Sequence, residues 1–399
     1  MKKNELVVAF TGGGTAGHIY PGLAIADELK TLFGAQNKKI KICWIGCSSG
    51  MDKKIVQTAL SGDGEPLADE FYGIPSGKLR RYFSLQNFLD IFKIFAGFIK
   101  AFFYLNKIKP SILFSKGGFV SVPPCYAAKL LKIPVFTHEC DFSIGLANRL
   151  NLKVADNIFL SYEQTKKNLS SVNCQKSVVM GNPVRPIFYN TKTEIGYDFL
   201  GLQKESITKP ILLVLGGSSG ARQINDLVYQ NLDWICQNYI VVHQTGMLNN
   251  DDSKEKQLQE KFAGSYFAFP FIYEQMPHVL SIADVILSRA GANSIWEAAV
   301  LNKPMVLIPL CGSGTRGDQV DNANFFVEQN ASCMLLGEQA NSENLIQELT
   351  KMLDKAQRDE YIFNLKKLIG NEKPANKIAN FLYNKINNRE MLWLLHLLT

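Results

Sequence analysis

The sequence predicts an α/β protein built as two doubly wound halves. Three observations predict it. Short apolar runs alternate with helical patterns along the chain. The order strand, glycine-rich turn, helix occurs near residue 6 and again near residue 211. A proline-bearing stretch separates the two series. Strands fed by crossover helices imply a parallel sheet with helices on both faces. The 399-residue length fits two domains at roughly 100–200 residues each.

In the first half, Leu6–Phe10, Ile40–Ile45, Ile112–Phe114, Val135–Thr137 and Asn157–Leu160 read as buried strands. Pro21–Leu32 and Pro124–Leu131 read as helices between them. The stretch Gly181–Lys209, with Pro183 and Pro186, reads as the linker. The second half restarts at Ile211–Leu215 and continues with strands at Ile240–His243, Tyr266–Phe269, Val285–Leu287 and Met305–Ile308. The domain boundaries expected are 1–184 and 185–372, with a helix from about 373 to 399 packing back on the first half. Two such halves predict a cleft between them.

Composition excludes several classes. With 46% apolar and 20% charged residues, the chain is neither disordered nor a coiled coil. Gly12-Gly13-Gly14 ends the first apolar run after Phe10, which is too short for a signal-peptide core. No stretch of about 20 apolar residues spans a bilayer. The eight cysteines are scattered without a C-x-x-C pair, which favours a reduced compartment over a disulfide or zinc site. The net charge of +7 asks for an anionic partner.

Gly12, Gly14 and Gly17 satisfy G-x-G-x-x-G. Small residues let backbone approach a phosphate, and the next helix offers free N–H groups. The same pattern serves a tight strand-to-helix turn without ligand. A dinucleotide site also expects an acid after the second strand. Gly46-Cys47-Ser48-Ser49 has none, which argues against an NAD enzyme. His18 follows the loop, either as a general base near neutral pH or as a helix-end residue bonded to backbone.

Gly216–Ala221 repeats the loop physics with Ser218 and Ser219 added. A third unit runs from Ser288 to Glu297. Ala292, Asn293 and Ser294 there would present amides to a phosphate. Glu297 either takes hydrogen bonds from a ribose diol or is a solvated helix acid. Polar loops after Val135–Thr137 and Met305–Pro309 sit where α/β sheets place ligands. No D-x-D motif ends a strand. Leaving-group charge is therefore expected to fall to helix ends and arginine, with no obligatory cofactor or metal and Mg²⁺ as an optional aid.

Residues 78–109 carry seven basic residues against one acid, a net +6. Lys93, Lys100 and Lys107 recur every seven residues beside Phe88, Phe92 and Phe95. Two readings stand: a helix lying on an anionic bilayer, or an amphipathic helix packed on the sheet with a solvated lysine edge. Nucleic acid is disfavoured for want of a recognised module.

With these residues in hand, the chain resembles the MurG family. These are transferases that move N-acetylglucosamine from its UDP conjugate to lipid-linked N-acetylmuramyl-pentapeptide in bacterial peptidoglycan synthesis. The similarity runs from about Val7 to Leu368. It is carried by Gly13-Gly14-Thr15-Ala16-Gly17-His18, Gly117-Gly118-Phe119-Val120-Ser121-Val122-Pro123 and His138-Glu139-Cys140-Asp141. Gly181-Asn182-Pro183-Val184-Arg185, Gly216–Ala221, Arg289–Glu297 and Asp318-Gln319 complete it.

The resemblance implies a GT-B fold, two Rossmann-like domains with an intervening cleft, and inverting displacement at the sugar C1. It implies that Ile272 faces uracil, that Ser218 and Ala292–Ser294 hold the diphosphate, and that Glu297 holds the ribose. Arg185, Gln319 and Asp141 would contact the nucleotide sugar. Thr15, Ala16 and Gly17 would lie near the sugar and the acceptor diphosphate, and His18 would be the base. The implied partners are UDP-GlcNAc, undecaprenyl-diphosphate-linked MurNAc-pentapeptide and an anionic membrane surface. The implied location is peripheral, at the cytoplasmic face of the plasma membrane. Some positions depart from the commonest pattern: Cys140-Asp141 stands where Gln-Asn is common, so Asp141 keeps an acceptor and loses an amide donor. A diacylglycerol glucosyltransferase of the same fold and a nucleotide-sugar-binding membrane module without turnover are the rival functions.

Overall fold

The computed structural model describes residues 6–61, 63–77, 85–217, 220–248, 252–312, 315 and 317–398. The chain divides into two compact units. The first comprises Met1–Arg185 with Glu372–Thr399, and the second Pro186–Asn371.

The first unit holds strands β1 (Leu6–Thr11), β2 (Ile40–Cys47), β3 (Glu70–Ile74), β4 (Leu113–Ser115), β5 (Val135–Glu139), β6 (Asn157–Leu160) and β7 (Ser177–Val179). They form one sheet in the order β3-β2-β1-β4-β5-β6-β7, every pair parallel. The strand order reverses between β1 and β4. That switch point is where doubly wound sheets open a crevice at the strands' carboxyl ends. Helices α1 (Tyr20–Gly34), α2 (Asp52–Thr58), α3 (Leu85–Ile108), α4 (Val122–Leu130), α5 (Leu146–Asn151) and α6 (Ser171–Gln175) connect the strands. Apolar residues alternate faces along each strand, so the sheet has a core on both sides. Phe10, Trp44, Phe114 and Phe159 pack on one face with Leu23, Leu29 and Phe33. Ala9, Ile45 and Leu113 pack on the other with Ala101, Leu105 and Cys125.

The second unit holds α7 (Thr193–Leu200), β8 (Ile211–Leu215), α8 (Arg222–Gln230), α9 (Leu232–Asn238), β9 (Ile240–Gln244), α10 (Asp252–Lys261) and β10 (Tyr266–Phe269). It continues with α11 (Met276–Ile282), β11 (Val285–Ser288), α12 (Ala292–Val300), β12 (Met305–Leu307), α13 (Asp318–Glu328), β13 (Cys333–Met334), α14 (Ser342–Lys351) and α15 (Lys355–Ile369). Its sheet runs β10-β9-β8-β11-β12-β13, again parallel, with the switch between β8 and β11.

The stretch Gly181–Lys209 is not a bare linker. From Pro186 onward it belongs to the second unit. There α7 packs on α11, and the Lys192 amide donates to His278 Nδ1 at 3.0 Å. Helix α16 (Pro374–Leu398) returns to the first unit. Ala375, Ile378, Ala379, Leu382 and Ile386 bury against α1. Asn376 Nδ2 donates to Glu28 Oε2 at 2.8 Å, and the Phe33 and Tyr383 rings meet edge-on at 4.7 Å. No helix among the described residues is long and apolar enough to cross a membrane.

Candidate active site

The first unit's candidate groups stand at the β1–β4 switch. Thr15 is exposed, and Ala16, Gly17 and His18 form one short 3₁₀ turn before α1. Thr15 Oγ1 and His18 Nδ1 are 2.7 Å apart. The β4 loop packs against this turn through Gly118, at φ +77°. A Cβ there would stand 2.8 Å from the Gly13 carbonyl and 3.1 Å from His18 Cγ, so only glycine fits.

The first glycine loop is not an empty phosphate cradle. Asp52, at the start of α2, turns back into it. Its carboxylate accepts the Gly14 amide at 2.9 and 3.2 Å and the Cys47 amide at 2.8 Å. A Cβ on Gly13 would collide with Asp52 Oδ2 at 1.8 Å. Burial raises the Asp52 pKa above the usual carboxylate value, opposed by those two amides. Gly46-Cys47-Ser48-Ser49 still holds no acid for a ribose. Asp52 comes from beyond the strand's end, and its oxygens hold loop amides rather than facing a ribose.

At the end of β5, Glu139 is buried and accepts three donors. They are the amides of Asp141 (3.1 Å) and Gly145 (2.9 Å) and Asn148 Nδ2 (3.0 Å). Burial, then the Asp141 charge, raises its pKa. Asp141 itself is half-buried. Glu139, Cys140 and Asp141 bring their ligand atoms within 4.8 Å of one another. Burial pushes the Cys140 thiol up to about 12. Next to it His138 is fully enclosed, with Nε2 2.9 Å from the Gly181 carbonyl. Arg185 lies over the Tyr20 ring, 4.6 Å from its centroid.

In the second unit, α12 opens with Ala292 at its N-terminus, after Gly291. Ala292, Ile295, Trp296 and Ala299 bury against the core. Asn293, Ser294 and Glu297 are half-buried on the other face, Glu297 one turn beyond the first two as the helical period requires. The amides of α12's first turn stand at a helix start, an arrangement that suits an anion. Ile272 is 2% exposed, and its amide donates to Gln244 Oε1 at 3.0 Å. Sequence reasoning missed Gln244, because the pair is 28 residues apart. Gln319 Oε1 accepts the Leu310 amide at 2.9 Å, so its side-chain carbonyl fixes the loop after β12. Arg289 Nη1 donates to Gln223 Oε1 at 2.9 Å and the Ile308 carbonyl at 3.0 Å. Ser218 lies outside the described residues. A surface groove of about 860 Å³ beside Arg222, Gln223 and Asn341–Glu343 contains none of the expected nucleotide contacts.

Along α3, Ala101 and Leu105 bury against the first unit's core, with Phe98 and Phe102 partly buried beside them. Phe88, Phe92, Phe95, Ile99 and Phe103 face outward, each at least 40% exposed. Lys93, Lys100 and Lys107 are exposed, and Lys93 pairs with Asp90 at 3.2 Å. Both faces of this helix are thus apolar. The other basic residues counted there, Lys78, Arg80 and Arg81, lie outside the described residues, apart from Lys109.

Comparison with known proteins follows the same division. The glycosyltransferase family 28 N-terminal domain matches residues 8–160, and the family 28 C-terminal domain matches residues 211–379. A Treponema denticola protein named UDP-N-acetylglucosamine--N-acetylmuramyl-(pentapeptide) pyrophosphoryl-undecaprenol N-acetylglucosamine transferase is 46% identical over 94% of this chain and 96% of its own. A Bacillus cereus protein of that name, numbered 2, is 38% identical over 94% of this chain and 98% of its own. Among solved structures, Acinetobacter baumannii MurG superposes with a TM-score of 0.67 at 22% identity, covering 95% of this chain and 99% of its own. A Neisseria meningitidis UDP-GlcNAc 2-epimerase shares the fold at a TM-score of 0.64 and 16% identity, covering 96% of this chain and all of its own. The architecture is GT-B, and the chain belongs to glycosyltransferase family 28, within it to the MurG family of N-acetylglucosaminyltransferases.

Proposed function

We infer that the protein transfers N-acetylglucosamine from UDP-GlcNAc to the 4-hydroxyl of a lipid-diphosphate-linked N-acetylmuramyl-pentapeptide. Kinship carries most weight here: 46% identity over 94% of the chain to a transferase named for that reaction. The site chemistry agrees with it. The second unit holds the nucleotide: Ile272's loop meets uracil, Glu297 the ribose, and Ser218 with the α12 amides at Ala292–Ser294 the diphosphate. Arg185, Gln319 and Asp141 bind the sugar. Thr15, Ala16 and Gly17 receive the acceptor.

The reaction is one displacement. The acceptor oxygen attacks C1 from the face opposite UDP, the C1–O bond to the diphosphate breaks, and the configuration inverts. His18 takes the hydroxyl proton. Its Nδ1 contact with Thr15 Oγ1 supports that role: a hydroxyl accepting from Nδ1–H leaves the lone pair on Nε2. The departing charge falls on helix-end amides. The displacement calls for no electron carrier, and the helix-end amides are proposed to carry the leaving charge with Mg²⁺ as an optional aid.

The outward phenylalanines and lysines of α3 rest on an anionic bilayer, where the acceptor's lipid is held. The enzyme thus works peripherally at the cytoplasmic membrane face. Labelled UDP-GlcNAc with a short-chain acceptor analogue tests the reading, with and without chelator. Labelled product in both arms supports it. Product only from UDP-glucose and diacylglycerol overturns it.

A further inference from the structure

We propose that Lys116 is the cationic partner of a substrate diphosphate, kept buried without a counter-ion until that group arrives. The proposal rests on the transfer reading above and adds a residue to it.

Lys116 follows β4 at the carboxyl edge of the sheet, and its amide donates to the Thr11 carbonyl of β1 at 2.9 Å. It therefore stands at the β1–β4 switch point. Its side chain is 1% exposed. Nζ has no nitrogen or oxygen partner, its polar neighbour being the Cys140 thiol, and no carboxylate lies within ion-pair distance among the described residues. The buried carboxylates at this edge are committed elsewhere. Asp52 holds the Gly14 and Cys47 amides, and Glu139 holds the Asp141 and Gly145 amides and Asn148. The His138 ring and the Cys140 thiol lie near the ammonium. His138 Nδ1 is a second buried atom without a partner, and burial followed by the Lys116 charge keeps that ring neutral.

An ammonium taken from water without a partner is destabilising, so a fold retains one only where something compensates it. Asp52 already holds the Gly14 amide, so the groups left for an incoming anion are the ammonium and the helix starts around it. Lys116 lies beneath the first glycine loop, where a Cβ on Gly12 would come within 3.2 Å of Lys116 Cβ. Gly14, Gly117 and Gly118 all hold positive φ, and without side chains the two loops pack closely, Gly14 against Phe119 and Gly118 against Gly13 and His18. The α1 turn and the α4 turn each begin here, and helix starts favour negative charge. Transfer between a nucleotide sugar and a lipid-linked acceptor presents a diphosphate on each substrate, so the anion is a diphosphate of either.

The test compares Lys116→Met and Lys116→Arg in the full-length protein. Removing an uncompensated charge should leave the melting temperature of the ligand-free Met variant equal or higher. Its affinity for inorganic pyrophosphate, measured by titration calorimetry, should fall about tenfold or more, and the Arg variant should recover part of the loss. A KM rise confined to the acceptor assigns the acceptor's diphosphate, and one confined to UDP-GlcNAc assigns the nucleotide's. Unchanged pyrophosphate affinity and unchanged KM values in the Met variant overturn the proposal, as does a lowered melting temperature with unchanged affinity. The calorimetric arm needs no turnover. Loss of pyrophosphate binding in a protein that transfers nothing would therefore uphold the Lys116 site while ending the transfer reading.

Discussion

Both carboxylate oxygens of Asp52 accept the amide of Gly14, 38 residues away, and one of them also accepts the amide of Cys47. This clamp ties the glycine turn after β1 to the end of β2, and it fixes the turn from which Thr15 and His18 project. Replacing Asp52 by Asn puts a donor against those amides. Loss of a charge-assisted hydrogen bond costs about 1.5–3 kcal/mol. We expect that loss in urea unfolding, together with a lowered kcat. Unchanged stability would mean the clamp does not hold the turn.

His18→Ala should lower kcat about 10²–10⁴-fold, the usual contribution of a general base, with the KM for UDP-GlcNAc nearly unchanged. Thr15→Val should fall between that variant and wild type, because it removes the group 2.7 Å from Nδ1 and leaves the ring. A Thr15→Val enzyme as slow as His18→Ala would give the hydroxyl a larger role than orienting the ring.

Gln244 holds the amide of Ile272. Gln244→Leu leaves that buried N–H unpaired, at about 1–3 kcal/mol. The loop meeting the nucleobase should shift, raising the KM for UDP-GlcNAc about tenfold with kcat within about twofold, since the reacting atoms are remote. A fall in kcat at constant KM would remove Gln244 from nucleotide binding.

His243 gives a pH signature. It is buried on β9, with Nδ1 3.0 Å from the Tyr266 hydroxyl and Nε2 3.2 Å from Asn225 Oδ1. Nε2 donates to the amide oxygen and Nδ1 accepts from the phenol, which is the neutral ring. Burial drives its pKa from 6.5 down to about 3. The folded value lies below the unfolded one, so its stabilising contribution is full above pH 6.5 and is lost as pH falls toward 3. The urea midpoint should decline across that window, and His243→Asn should flatten the decline. An equal slope in both proteins would assign acid sensitivity elsewhere.

The α3 surface is tested with Phe92→Asp and Phe95→Asp together. Cosedimentation with phosphatidylglycerol vesicles should drop at least tenfold while melting temperature holds, because both rings are exposed, at 59% and 64%. Unaltered cosedimentation would move the membrane contact off this helix.

The interior strands were legible because they are apolar on both faces: β8 and β9 are buried at every residue. β3, β7 and β13 were not read. Each is the edge of its sheet and mostly half-buried, so none carries an unbroken apolar run. The short turn ending at His18 and the start of α12 were legible because glycine, helix start and polar residue lie close together in sequence. Asp52, Lys116 and Gln244 were not. Asp52 and Gln244 act on partners 38 and 28 residues away. Lys116 is a lysine that only burial distinguishes from a solvated one.

The most direct measurement is the initial rate of N-acetylglucosamine transfer from UDP-GlcNAc to a short-chain, diphosphate-linked N-acetylmuramyl-pentapeptide, for wild type and His18→Ala together. The account predicts a product with inverted configuration at C1 from wild type and a rate about 10²–10⁴-fold lower from the variant. No product from wild type, retained configuration, or equal rates in the two proteins would contradict it.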